Sequence, residues 1–477
     1  MIPAVTTAFA DVVREVIDPA AEASERNPPR LGPNGEVEFD PAYHRAGRAV
    51  WASGIVGADA REQASLFYLL AQAGEGGHAC PVVCTAGLVR ALRTTATDEL
   101  RERFLPSLLE TDYDRAHRGA QFLTERHGGS DVGANRVEAV PDSDAWRLHG
   151  EKWFCSVADA DQFLVTARPR GGPQGTRGIG CFLVAREGGG FRIRRLKEKL
   201  GTRALATGEI EFDGALAYPL GRLEEGFRTA VSVLNTSRWL NAVGSAALMR
   251  RAQLVAAEFA GEREAFGHVI SEFPLVRENL AVMRAEADAA LASTTEVTTL
   301  VDAIDRGSAG DDDVAWHRLL VNANKVVTSL AATKVVRRGI ETLGGNGTIE
   351  DFSPLPRLWR DAIVFESWEG THNVLCAQVL RDLERLDAVE LVVERSGASP
   401  ALAARLRRSV DDPAFGALHF RRQLDEVVRS VQVRALRETT PESASLIERR
   451  HLVRGWDPEA DADYAALIDR VLSAAAA

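Results

Sequence analysis

Along this chain the spacing of apolar residues switches from helical to strand-like once, and back to helical once. Residues 62–72 (EQASLFYLLAQ) carry apolar positions at helical spacing, in a first stretch of about 118 residues rich in Ala, Leu, Arg and Glu. Between Gln121 and about Leu220 the texture becomes short, β-branched or alternating runs: residues 161–167 (DQFLVTA), 180–185 (GCFLVA) and 208–213 (GEIEFD), separated by Gly, Pro and Asp turns. From about Leu223 the helical period returns, with Phe227, Ala230, Val231 and Leu234 on one stripe and Val276, Leu280, Met283 and Ala287 on another. A doubly wound sheet needs strands alternating with helices, so this order excludes one. It predicts a mainly α fold with a central β-barrel or sandwich domain.

These two switches, with the Ala-, Arg- and Glu-rich helical sequence after Leu383, mark four segments. Residues 1–118 are expected to form a helical N-terminal domain, 119–220 the middle β domain, 221–383 an antiparallel bundle of three or four long helices and 384–477 a helical C-terminal extension. Within the bundle, residues 305–313 (DRGSAGDDD) read as a polar loop, and Gly344-Gly345 ends the helix expected to begin near Val314. Net charge is −11, so no overall positive field gathers nucleic acid or anionic lipid. No apolar run reaches the roughly 20 residues of a spanning helix, and the opening residues carry acids where a signal peptide needs bases. A cytoplasmic enzyme with no membrane attachment is the expectation. The five cysteines, odd in number and scattered, read as reduced thiols. His78, Cys80 and Cys84 lack a second ligand cluster to complete a tetrahedral shell, so packing and no metal are expected there.

No Gly-x-Gly-x-x-Gly motif opening a helix after a strand and no Walker A segment is present, which argues against the common nucleotide folds. Chemistry is suggested instead by residues 367–375, SWEGTHNVL, where Glu369 stands between a tryptophan and a glycine. Partial removal from water beside an aromatic raises a carboxyl pKa and favours a base near neutral pH; the alternative is an exposed acid at a helix start. Residues 123–131, LTERHGGSD, combine small residues that admit a ligand with the hydroxyls of Thr124 and Ser130. In residues 152–156, KWFCS, Trp153 suits stacking on a planar cofactor or a place in the core. In residues 261–267, GEREAFG, Arg263 closes a helix ahead of a Phe-Gly turn, shaped for a pyrophosphate or for the helix dipole.

Taken in order, LTERHGGSD, KWFCS, EREAFG, LGGNG and WEGTHN resemble the acyl-CoA dehydrogenase family of flavoproteins, over about residues 38–383. Residues 76–81 (GGHACP), 196–203 (LKEKLGTR) and 345–351 (GNGTIED), with the extra C-terminal segment, are similar to its AidB-like branch. The resemblance implies a helical domain, a β-barrel and a four-helix bundle, with FAD held between domains and subunits of a tetramer. It implies that Glu369 removes the α-proton of an acyl thioester while the β-hydrogen leaves as hydride to the flavin, the backbone N–H of Glu369 helping to hold the thioester oxygen. Phe122, Leu123, Thr124, Gly129 and Ser130 match positions beside the isoalloxazine, and Trp153 and Ser156 the strand over its other face. Arg263 and Phe266 match residues reaching a neighbouring subunit's FAD; Gly344, Gly345 and Gly347 match the turn at its diphosphate or adenine; Thr371 and Asn373 match further flavin contacts. Arg238, Ser130 and Gly370 match the substrate path, with an internal ion pair the equal alternative for Arg238.

Departures from the family pattern are Arg126 where a proline is common, Pro274 where many members have an adenine-touching glutamine, and the bulky Trp239 beside Arg238. The implied partners are an acyl-CoA or an acyl carrier protein thioester, an electron-transferring flavoprotein, and a homotetramer or homodimer. Two alternatives stay open: a flavin oxidase or monooxygenase on the same fold, and a DNA-associated flavoprotein of the alkylation response. The second needs a basic surface such as Arg405, Arg407 and Arg408, against the acidic total.

Overall fold

Short polar residues ahead of apolar runs start the first helices, as their side-chain oxygens satisfy N–H groups that a helix leaves unpaired. In the computed structural model, which describes residues 4–474, α1 (Ala4–Val12) continues through a π-helical turn into α2 (Asp18–Arg26). Asp40 caps α3 (Pro41–Ala52), Asp59 caps α4 (Ala60–Leu70) and Thr97 caps α6 (Asp98–Leu108), while α5 (Ala79–Thr95) lies between them, buried almost throughout. Between α2 and α3 the structure departs from an all-helical start: β1 (Arg30–Leu31) and β2 (Val37–Glu38) form a small antiparallel hairpin, turned by Gly35 at φ +81°. Strands of two residues are too short to leave a period in the sequence.

The start of α5 is unusual for the polar atoms buried with it. Glu75 is 1% exposed and accepts the N–H groups of Gly77 and Cys80. His78 stacks on Tyr43 with ring centroids 4.2 Å apart and donates from Nε2 to the Tyr43 carbonyl at 2.8 Å. Burial pushes His78 down to about 3, so the folded protein holds it neutral. Its pKa is lower folded than unfolded, so the unfolded chain takes up a proton first as pH falls, and stability drops by about 1.4 kcal/mol per pH unit between roughly 6.5 and 3. Urea unfolding of the protein and of His78→Phe between pH 4 and 6 tests this. The variant is expected to show the shallower pH slope; equal slopes would remove His78 as the cause.

The middle segment closes into a barrel. Its strands are β3 (Gly119–Phe122), β4 (Glu138–Asp142), β5 (Ala145–Ser156), β6 (Gln162–Pro169), β7 (Gly180–Ala185), β8 (Phe191–Leu196) and β9 (Thr207–Pro219). They pair in the order β6, β4, β5, β9, β7, and β7 pairs back onto β6, which decides between barrel and sandwich. Closure leaves these strands no free edge. β3 lies parallel on β6, and β8 antiparallel on β9.

By its internal contacts the chain forms two units, Met1–Leu240 and Asn241–Ala477, the division falling within the long helix α7 (Gly226–Glu262). The second unit continues with a hairpin of β10 (Glu264–Ala265) and β11 (His268–Val269), then α8 (Pro274–Asp305), α9 (Asp311–Leu343), α10 (Leu355–Ser367) and α11 (His372–Arg385). Helix α9 begins earlier than expected. Asp311, Asp312 and Asp313 form its first turn, where acids offset the helix dipole, and Asp313 accepts the Gly310 N–H at 3.2 Å. Its end is as expected, with Gly344 at φ +61°.

The extension comprises α12 (Val389–Ser396), α13 (Pro400–Asp411), α14 (Pro413–Thr439), α15 (Pro441–Ile447) and α16 (Tyr464–Ser473). Ala281, Ala285 and Ala289 of α8 share a core with Leu436, Leu446, Leu467 and Val471, so this segment packs on the bundle. A buried ionic cluster joins the same surfaces. Arg429 donates to Glu286 at 2.7 Å, and the other Glu286 oxygen meets His451 Nε2 at 2.7 Å. All five cysteines are free and buried. No helix among the described residues is long and apolar enough to cross a membrane.

Candidate functional site

In the first unit the segment after β3 is fixed from below. Phe122 is fully buried against Phe163, ring centroids 4.8 Å apart, so only its backbone is available to a ligand. The Leu123 carbonyl accepts from Asn135 Nδ2 at 2.8 Å and from Lys152 Nζ at 3.0 Å. Lys152 is also paired with Glu125 at 2.9 Å, and Glu125 accepts the N–H groups of Arg136 and Val137. Burial lowers the Lys152 pKa while Glu125 opposes the shift. The Trp153 N–H donates to the Thr124 carbonyl at 2.9 Å, tying the loop to β5. Beyond this anchor His127, Gly128, Gly129 and Ser130 are exposed, and a Cβ at Gly129 would lie 2.4 Å from the Thr124 hydroxyl. Glycine therefore keeps that hydroxyl in place.

Trp153 is half-buried and not a bare aromatic face: Lys197 Nζ lies 3.5 Å and the Arg126 guanidinium 4.9 Å from its ring centroid. Arg126, one of the departures from the family pattern, thus has a partner in the motif that follows it. Ser156 shares a hydroxyl contact of 3.3 Å with Thr207. Arg238 is 4% exposed and donates to Asn235 at 3.1 Å; Trp239 is fully buried, with the Arg90 guanidinium 5.1 Å from its ring centroid.

In the second unit the chain reverses between α10 and α11. Trp368 is extended, Glu369 has φ +52° and Gly370 φ +109°, and Thr371 is the N-cap of α11 without a side-chain capping bond. A glutamate in the left-handed region costs about 1–2 kcal/mol and persists only where its surroundings over-determine it. Here the Phe365 and Trp368 rings stack at 5.3 Å. Asn241 Nδ2 donates to the Glu369 carboxylate at 2.9 Å and to the Phe365 carbonyl at 3.1 Å. Lys325, fully buried in α9, donates to the carbonyls of Glu366 at 2.8 Å and Gly370 at 3.1 Å. Glu366 in turn accepts from Thr333 at 2.5 Å. His372 meets Ser329 at 3.2 Å, and burial, with Lys325 and Arg421 nearby, lowers it to about 4, so it is neutral at neutral pH.

The remaining proposed residues differ in what surrounds them. Gly344 and Gly345 have open space where a side chain would stand, but a Cβ at Gly347 would lie 2.2 Å from the Ile340 carbonyl, so packing alone requires that glycine. Thr371, Asn373 and Arg263 are exposed. Phe266, at φ +54° in the β10–β11 turn, is 96% exposed. Sequence reasoning missed Asn241, Lys325, Glu125 and the role of Lys152. The available signal was a lysine in the middle of an otherwise uncharged helical stretch, residues 319–327 (LLVNANKVV).

Comparison with known proteins adds a second line of observation. Profiles for "Acyl-CoA dehydrogenase, C-terminal domain", "Acyl-CoA dehydrogenase, middle domain" and "Adaptive response protein AidB N-terminal domain" match residues 224–384, 120–215 and 14–115. The putative acyl-CoA dehydrogenase AidB of Escherichia coli (strain K12) is 33% identical over 402 residues, covering 78% of this chain and 72% of that protein. The chain belongs to the acyl-CoA dehydrogenase family. Within it the chain falls in the AidB-like branch. Acyl-CoA dehydrogenase family member 11 of Caenorhabditis elegans is 36% identical over 324 residues, 63% of this chain and 51% of that protein, so the match spans about half of that relative's length. The solved structure of Caenorhabditis elegans ACDH-11 in complex with C11-CoA superposes with a TM-score of 0.81 at 25% identity, covering 99% of this chain and 90% of that one.

FAD is the cofactor of this acyl-CoA dehydrogenase family, and the residues present fit it. The first unit offers an anchored loop with free hydroxyls and a half-buried tryptophan, and the second an α11 N-terminus without a side-chain cap and an open glycine pair.

Proposed function

We propose that this chain is an FAD-dependent dehydrogenase that introduces an α,β double bond into an acyl thioester. The observation that carries the proposal is Glu369, a half-buried carboxylate held in a left-handed backbone conformation and oriented by Asn241. Glu369 takes the α-proton, the electrons of that C–H bond form the new double bond, and the β-hydrogen leaves as hydride. Bound FAD supplies the acceptor for that hydride. Thr124, Gly129, Ser130, Trp153 and Ser156, with the backbone of Phe122 and Leu123, hold the flavin ring. Gly344, Gly345, Thr371, Asn373 and Arg263 serve its remaining length. The Glu369 N–H binds the thioester oxygen, and Arg238, Gly370 and Ser130 border the substrate path.

An acyl-CoA is the first substrate to test, with a carrier-protein thioester the second. An electron-transferring flavoprotein is the electron acceptor in this reading, the active form is a homotetramer or homodimer with Phe266 at a subunit contact, and the location is cytoplasmic. A DNA-binding role is not favoured: Arg405 is paired with Glu426, Arg407 with Glu390 at 2.8 Å, and the Arg408 guanidinium lies 3.9 Å from the Phe415 ring centroid. These arginines are committed to neighbours and offer little free charge to phosphates.

Anaerobic addition of short, branched, aromatic and long acyl-CoAs to the purified flavoprotein tests the proposal. Bleaching of the flavin by one of them is expected. A protein bleached by none, yet forming peroxide rapidly with an amine or nitroalkane, would move the reading to oxidase chemistry.

A further inference from the structure

We infer that Lys325 is a positioning residue for this reaction, clamping the backbone on both sides of Glu369; the inference rests on the dehydrogenase reading above. Lys325 is fully buried, and an ammonium group placed there without partners is strongly unfavourable. Its ammonium donates to two carbonyls, Glu366 at 2.8 Å and Gly370 at 3.1 Å. The first belongs to the last turn of α10, whose carbonyls lack helical partners, and any cation near a helix C-terminus would serve it. The second is the informative one. It lies beyond the turn, on the far side of the left-handed Glu369, and a simple helix cap has no use for it.

Glu369 and Gly370 both have positive φ, at +52° and +109°, so the reversal is under strain at the first and free to relax at the second. A bridge from Glu366 to Gly370 through one buried ammonium removes that freedom, because the peptide after Gly370 can no longer rotate without breaking the bond to Lys325. The side chain is then aimed by Asn241, whose amide reaches both the Glu369 carboxylate and the Phe365 carbonyl. Two residues from two helices thus fix the two halves of the base: Lys325 its backbone, and with it the direction of the N–H groups in the turn, and Asn241 its carboxylate. Neighbouring His372 stays neutral at neutral pH, so it adds no imidazolium charge beside the Lys325 ammonium.

The test compares Lys325→Met, Lys325→Arg and Glu369→Gln in the full-length flavoprotein, with undecanoyl-CoA as the first probe of the panel. Three quantities are read: FAD bound per chain, the acyl-CoA dissociation constant, and the anaerobic rate of flavin bleaching. Lys325→Met is expected to keep FAD and the dissociation constant within about 3-fold while the bleaching rate falls about 100-fold, the effect of misplacing a reacting group by about 1 Å. Lys325→Arg, which retains charge and donors, is expected to recover at least about 10-fold of that loss. A Lys325→Met rate within about 3-fold of wild type overturns the inference, as does a parallel fall in flavin content and affinity that Arg does not relieve. If Met at this site yields no folded protein, Lys325→Gln, which still donates to one carbonyl, is read instead: at least about 10-fold slower bleaching at unchanged affinity supports the clamp, and a wild-type rate overturns it. Absence of bleaching in the parent protein overturns the dehydrogenase reading itself; bleaching that survives in Glu369→Gln passes the role of base to another group and removes the purpose of the clamp; loss in Glu369→Gln with a normal Lys325→Met overturns only the role of Lys325.

Discussion

Glu369→Gln is expected to bind FAD as the parent protein does and to lose reduction of that flavin by acyl thioester, by a factor on the order of 10³–10⁴. The substitution isolates the chemistry. Glutamine has the shape of glutamate, and its amide oxygen can still accept from Asn241 Nδ2, which lies 2.9 Å from the carboxylate now. It keeps the same backbone demands at φ +52°, so the turn is retained. Only the capacity to take a proton is removed. Stopped-flow absorbance under anaerobic conditions reads the outcome, with flavin content measured on the same sample. A rate within 10-fold of the parent would pass the role of base to another group.

Arg429→Met is expected to cost about 3–5 kcal/mol in the second unit, the range for removing one partner of a buried ion pair. Arg429 is 5% exposed and donates to Glu286 at 2.7 Å and Gln432 at 3.0 Å, while Glu286 is 8% exposed. The charges of Arg429 and His451 hold the Glu286 carboxyl well below the usual carboxylate range despite its burial. Without the guanidinium, Glu286 stays buried with the His451 ring nitrogen 2.7 Å from its carboxylate. Hydrogen exchange along α8 and α14 should then speed by about 10²–10⁴-fold, the equivalent of that energy. Adding Glu286→Gln should recover part of the loss, because a neutral amide does not need the missing charge. Equal exchange in parent and Arg429→Met would show that the cluster adds little to holding the extension on the bundle.

The fold was legible in the sequence because its largest decisions depend on period. A stretch such as residues 180–185 (GCFLVA) cannot be read as an amphipathic helix of useful length, and residues bordering Leu280 and Met283 cannot be read as a strand. Where local chemistry competed with composition the reading slipped. Asp311–Asp313 look like loop residues, yet acids in a first turn are favoured by the helix dipole, and α9 begins with them. The β1–β2 hairpin was invisible because strands of two residues have no period.

The candidate site divides along the same line. Sequence alone singled out Glu369, Thr124, Ser130 and Trp153, since an acid between Trp and Gly, and hydroxyls among glycines, carry their chemistry within a few residues. What holds those residues came only from tertiary structure. Asn241 stands 128 positions from the carboxylate it orients, Lys325 is 45 positions from the Gly370 carbonyl it holds, and Lys152 is 27 positions from Glu125. The uncharged stretch around Lys325 hints at burial but not at what its ammonium meets there, because compensation by distant carbonyls exists only once α9, α10 and α11 have packed. Period and short-range chemistry are properties of the chain; burial, and the partners that burial demands, are properties of the fold.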